Sequence, residues 1–192
     1  MSRWLVLPVV LFLSWQPLQA ESARYTVEFG LHGGGDQVPS ASQLTAPADK
    51  QVDAGGLLRW AVGMMWSMDE TFALSVSVGQ TINFTSLYLN PTGDNETSWF
   101  TRHIDVMALH TQGQWRYGAG LVLHLGTRLR LTNINSGQEW KYDPALGVRL
   151  SLEYLDTDYN GYALYYTHVE HKAAGVPVVD GSSLGVVLRW YL

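Results

Sequence analysis

Four arginines and three acids stand within segments where apolar residues alternate with polar or small ones: Glu28, Arg59, Asp105, Arg116, Arg149, Glu153 and Arg189. Alternation turns successive side chains to opposite faces of a strand, so these charges belong to the face away from the greasy one. If that face lines a narrow interior, the charges must pair, because an unpaired charge held away from water costs several kcal/mol. Arginine suits the role, since its planar fork bridges two carboxylates. Four cations against three anions nearly balance, which predicts an interlocked network rather than a water column. Other residues with chemical potential carry less. His168 and His171 are three apart, a spacing that turns them to opposite faces of an extended chain. His32, His103, His110 and His124 sit in separate segments, so no metal site is expected. Gly33-Gly34-Gly35 lacks the following Lys-Ser and helix of a phosphate cradle. Asp156-Thr157-Asp158 reads as a tight turn rather than a calcium loop. No cofactor is expected.

The elements that position these residues follow from composition and pattern. The chain has 192 residues, 46% hydrophobic, with a net charge of -5 and no cysteine. Thiolate catalysis, disulfides and cysteine-bound metals are therefore excluded, and no basic patch suggests nucleic acid. Arg3 followed by the apolar run Trp4 to Trp15 and the small residue Ala20 reads as a secretory signal over 1–20. Its removal takes away the one charge of that segment, leaving -6 on 21–192. No later apolar run approaches the roughly 20 residues a membrane helix needs.

Period-two alternation recurs about eight times. Tyr25, Val27, Phe29 and Leu31 oppose Thr26, Glu28, Gly30 and His32. Leu58, Trp60, Val62, Met64 and Trp66 oppose Leu57, Arg59, Ala61 and Gly63. Phe72, Leu74, Val76 and Val78 oppose Ala73, Ser75, Ser77 and Gly79. The fourth run, Ile104 to His110, leaves its faces unassigned. Tyr117 to Leu125, Leu146 to Tyr154, Tyr162 to Tyr166 and Leu184 to Leu192 complete the set. The bulky face is apolar and the other is rich in Gly, Ser and Arg, the reverse of a soluble sandwich, so a lipid-facing exterior is expected. Long connections (34–51, 81–102, and those after the fifth and seventh runs) alternate with tight ones at 67–70, 112–114 and 156–160. Long loops on one rim and short turns on the other predict an all-β, eight-stranded antiparallel up-and-down transmembrane β-barrel over 21–192, with 81–102 as its most mobile, protease-accessible loop. Tyr25, Trp66, Trp115, Tyr154, Tyr162 and Trp190 near the run ends suit interfacial girdles.

The whole pattern after residue 20 resembles the small eight-stranded bacterial outer-membrane barrels, the outer membrane protein A, W and X kind. The C-terminal run from Leu184 to Leu192 resembles the signal read by the barrel assembly machinery, carried by Leu188, Trp190 and Leu192, although that signal usually ends in Phe or Trp. The resemblance implies export, residence in a Gram-negative outer membrane, and partners in outer-membrane lipid, lipopolysaccharide and the assembly machinery. A monomer is expected. A narrower resemblance is to the outer-membrane lipid A deacylases, whose motif reads roughly His-x-Ser-Asn. Here Tyr166-Thr167-His168-Val169-Glu170-His171 occupies that stretch. His168 matches the base, Glu170 stands where the serine belongs, and Ser183 lies near the position of the acid. The expected function is therefore non-catalytic: structural, surface-contact or restricted passage of small solutes. The alternative is a hydrolase of outer-leaflet lipid using His168, Glu170 and Ser183.

Overall fold

The structure is a computed structural model that describes residues 22–38, 52–84, 95–133 and 136–192. The signal segment 1–20 and most of the first long connection lie outside the described residues. Every regular element among the described residues is a strand: β1 (Ser22–Gly33), β2 (Gln37–Val38), β3 (Val52–Asp53), β4 (Leu58–Ser67), β5 (Phe72–Phe84), β6 (Asn95–Gln112), β7 (Trp115–Asn133), β8 (Ser136–Lys141), β9 (Ala145–Leu155), β10 (Asn160–His168), β11 (Glu170–Ala173), β12 (Val176–Asp180) and β13 (Ser183–Tyr191). Eight of them close a barrel. β1, β4, β5, β6, β7, β9, β10 and β13 pair antiparallel in sequence order, and β13 returns to β1. That closure leaves the wall without a free edge. β8 extends the outer end of β7, while β2–β3 and β11–β12 form small hairpins.

Both described chain ends and three tight turns share one rim. Each turn has a local cause. Between β4 and β5, Asp69 Oδ1 accepts from the backbone N–H groups of Thr71 and Phe72, both at 2.7 Å. The Thr71 backbone N–H, more than any other group, holds this carboxyl below the usual range. Between β6 and β7, Gly113 takes a φ of 61°, the left-handed conformation that glycine accepts at no steric cost. Between β9 and β10, Thr157 Oγ1 accepts from the N–H groups of Tyr159 and Asn160, at 3.2 and 3.1 Å.

The outward face carries the bulky residues. Tyr25 is 63% exposed, Leu146 67% and Val186 59%, while Glu28, Arg59 and Glu153 are buried. A wall this apolar is stable only against lipid. The faces of the fourth run are settled as well: Thr101, His103, Asp105, Met107 and Leu109 point inward. Its pattern was ambiguous because Met107 and Leu109 are apolar yet belong to an inner cluster with Met65, Ala163, Tyr165, Val187 and Tyr191.

The expected 81–102 loop is corrected. β5 continues to Phe84 and β6 begins at Asn95, paired from Thr81↔Thr101 to Phe84↔Ser98. Residues 81–84 and 95–102 are therefore wall rather than loop, while 85–94 lies outside the described residues. The strand pattern is masked in β6 because apolar Trp99 turns inward while Ser98 and Arg102 turn outward, but the backbone ladder persists. On the other side of β6, Thr101 Oγ1 donates to Thr127 Oγ1 of β7 at 3.0 Å.

A closed ladder should hold in mild dodecyl sulfate. The protein is expected to run at a different apparent size unheated than after boiling; identical mobility would contradict closure.

Candidate functional site

The barrel register sets up the lumen. Glu28 stands opposite Arg189, Arg116 opposite Glu153, Ser77 opposite Asp105 and Thr167 opposite Arg149. Parity turns each of these side chains inward, and the narrow eight-stranded interior brings the pairs into contact across the axis.

The seven inward charges form one alternating chain. Arg149 contacts Asp105 Oδ2, and Arg59 Nη2 donates to the same oxygen at 2.6 Å. The same Arg59 nitrogen reaches Glu28 Oε2 at 3.2 Å. Glu28 Oε1 then accepts from Arg189 Nη2 at 2.6 Å, and Arg189 Nη1 donates to Glu153 Oε2 at 3.0 Å. Arg116 Nη1 ends the chain 3.5 Å from Glu153 Oε2. Each acid therefore bridges two arginines. The remaining barrel strands contribute neutral partners: Ser77 of β5 donates to Asp105 at 3.3 Å, and Thr167 of β10 accepts from Arg149 Nε at 2.9 Å. Every barrel strand thus supplies a side chain to the network. Glu153 has room because Gly161 faces it: a Cβ there would lie 2.3 Å from Glu153 Oε1.

Two tyrosines belong to this network that charge counting missed. The Tyr165 ring sits among three guanidinium groups, with Arg149, Arg59 and Arg189 centred 5.3, 5.7 and 5.7 Å from its centroid. Its hydroxyl contacts Arg189. Tyr191 accepts from Arg116 at 2.6 Å and contacts Glu153. Their inward parity was readable; their aromatic character hid a polar role.

Histidines stack outward of the charges, which separate segments did not foretell. His103 contacts Arg59. Its ring lies 6.3 Å from that of His124, which stacks on His171 at 5.2 Å. His124 Nδ1 and His171 Nε2 are 3.3 Å apart in hydrogen-bond geometry, one donating and one accepting. Metal binding would need their lone pairs to converge instead. His171 belongs to the β11–β12 hairpin, so this bond ties that hairpin to the wall. Trp99 and Tyr142 pack edge-on against it, within a cap that includes Val38, Val52, Ala54, Leu129 and Val179. Burial pushes the His171 imidazole down to about 4, against a smaller opposing pull from Asp180.

The geometry does not assemble His168, Glu170 and Ser183. Ser183 pairs with Thr167 in register and points inward, its Oγ 3.5 Å from His32 Nδ1. His168 points outward, one position along. Its Nδ1 meets Ser182 Oγ at 2.8 Å instead. Glu170 lies 3.8 Å from Lys172. Asp180 accepts from the Ser182 backbone N–H at 2.8 Å, and among the described residues no carboxylate hydrogen-bonds the His168 ring to orient it as a base. At the chain end, Leu188 and Trp190 face outward on β13 and Leu192 is exposed beyond it.

A closed eight-stranded barrel with a greasy exterior and a packed polar interior is the fold of the small outer-membrane β-barrels. No protein-family model matches the sequence, and no curated protein does. Among solved structures, the chain is similar to the attachment invasion locus protein Ail of Yersinia pestis, with a TM-score of 0.61 and 6% identity over 88% of this chain and 96% of that one. It is also similar to Neisserial surface protein A, with a TM-score of 0.57 and 14% identity over 88% and 98% of the two chains. At such identities the likeness is one of fold.

Two outcomes follow from this geometry. Arg149→Ala leaves Asp105 in the lumen without one of its two bridging arginines and should cost about 3–5 kcal/mol in urea unfolding from lipid vesicles. A loss under about 1 kcal/mol, the value of an exposed pair, would contradict a desolvated network. The hairpin latch should respond to acid. Because the folded His171 resists protonation, the open hairpin takes the proton first. Closure is then fully stable above about 6.5 and weakens as pH falls toward about 4. Hydrogen exchange in β11–β12 should accelerate across that window, and His171→Phe should reduce the pH dependence. A profile unchanged by that substitution would place the titration elsewhere.

Proposed function

We propose that this protein is a sealed outer-membrane barrel that acts through its outer surface, as a structural or surface-contact protein, without conduction or catalysis. One observation carries this reading: packed side chains plug the lumen above a cavity of about 340 Å³ at the turn rim, lined by Met65, Arg116 and Tyr191 among others. An inner apolar cluster around Met107 and Leu109, the charge chain, the histidine stack and the Trp99–Tyr142 cap succeed one another along the axis. The exterior supports an outer-membrane location, because only lipid can cover it. In this reading residues 1–20 are removed on export, and Leu188, Trp190 and Leu192 serve recognition by the assembly machinery. Outer-membrane lipid and lipopolysaccharide are the surroundings, and the protein works as a monomer. The attachment named for Ail and the surface position named for the Neisserial protein are the kind of work a sealed barrel performs.

Planar-bilayer recordings test it. Wild-type protein should give small or rare openings, and Arg149→Ala or Glu153→Ala should enlarge them. Large, stable, ohmic openings from the wild type would refute a sealed lumen.

A further inference from the structure

The outer end of the wall carries its own charge pattern, created by a single irregularity in β7. Below it, odd-numbered residues face outward: Tyr117, Ala119, Leu121, Leu123 and Leu125. Between Phe100↔Arg128 and Arg102↔Leu125 the register shifts, because β7 spends three residues where β6 spends two. Gly126 sits in this bulge with a φ of 59°, which L side chains rarely adopt. Past the bulge, parity is reversed. Thr127 and Leu129 turn inward, Leu129 into the apolar cap, while Arg128 and Arg130 turn out. Without the bulge the two arginines would enter the interior and Leu129 would face solvent.

The strands on either side complete a cationic face. Arg102 is exposed on β6, its guanidinium 5.7 Å from the Phe100 ring centroid, which preorganises it. Lys141 of β8 stands beside Arg128 in register, and Glu139 beside Arg130. Glu139 is the one acid among the described side chains that these three strands turn outward here. Both of its ion pairs are long and exposed, 3.9 Å to Arg128 and 3.6 Å to Lys141. Arg102, Arg128, Arg130 and Lys141 against one acid is a cationic concentration in a chain whose net charge is -5. Directly beneath lie Ile104, Leu121, Leu123 and Leu146 of the greasy wall, with Leu121 and Leu146 strongly exposed.

We infer that this outward face of β6, β7 and β8 binds the phosphate groups of an outer-leaflet glycolipid whose acyl chains lie on the apolar wall beneath. The inference rests on the outer-membrane reading. Cations placed just beyond an apolar band meet lipid headgroups, and guanidinium forks match phosphate oxygens. The lone acid leaves the local charge free to act on a ligand.

The test uses full-length barrel folded in zwitterionic micelles and titrated with purified lipopolysaccharide, followed by tryptophan fluorescence. Arg128→Glu/Arg130→Glu/Lys141→Glu should weaken binding about tenfold or more, and wild-type affinity should fall with added salt. Arg24→Glu, on the opposite rim, should bind as the wild type does. The heat-dependent gel shift confirms that each variant is folded. Should the triple variant lose that shift, Arg102→Glu with Lys141→Glu is read instead. Equal binding by folded variants, or equal wild-type affinity for dephosphorylated lipopolysaccharide, overturns the proposal. So does binding of soluble heparin without binding of lipopolysaccharide, which would assign the face to a soluble polyanion. Recovery of wild-type protein away from outer membranes overturns the placement itself, and the proposal with it.

Discussion

Charge held where water cannot follow is the constraint on which the rest of this structure depends. An eight-stranded barrel encloses only enough room for side chains. Once its wall is greasy outside, its polar residues have nowhere else to point. Seven of them are ionic, and their cost is met by an unbroken alternation of arginine and carboxylate. Deleting a central member strands its neighbours, so the network adds to the backbone ladder in holding the strands to one register. In the function proposed above, the same packing closes the passage and leaves the surface to act.

The network also organises what lies at its two ends. Toward the turn rim, Tyr191 and Arg116 hand over from ions to the apolar cluster of Met65, Met107 and Leu109. Toward the loop rim, Arg59 meets His103, and a stack of imidazoles leads to the aromatic cap. Polarity therefore falls away from the centre in both directions. The loop hairpin β11–β12 is fastened through His171 to this gradient rather than left free above the wall.

Much of this was legible in the sequence, for a physical reason. Period-two alternation is forced on a membrane strand, so the sequence alone assigns Glu28, Arg59, Arg149 and Arg189 to the inward face. Failures came where alternation stops being forced. The start of β6 carries apolar Trp99 inside and polar Ser98 and Arg102 outside, the reverse of the wall below, so 81–102 read as loop. Met107 and Leu109 are apolar inside, which blurred the fourth run. The Gly126 bulge reverses parity in β7, and a single glycine among many gives no warning of it. The imagined partnership of His168 with Ser183 failed by one residue: parity put Ser183 inside and gave His168 the neighbouring Ser182 instead.

The central claim is that the lumen is closed to solvent around a paired charge network. The chain has no cysteine, so one introduced thiol reports cleanly. Ser77 lines the lumen beside Asp105 and is 5% exposed. In folded Ser77→Cys protein, a small charged thiol reagent applied from either side should react far more slowly than with Gln112→Cys at the exposed β6 end, and at full rate only after unfolding. Labelling of folded Ser77→Cys as fast as of Gln112→Cys would mean that water and ions enter the barrel, and would contradict the account.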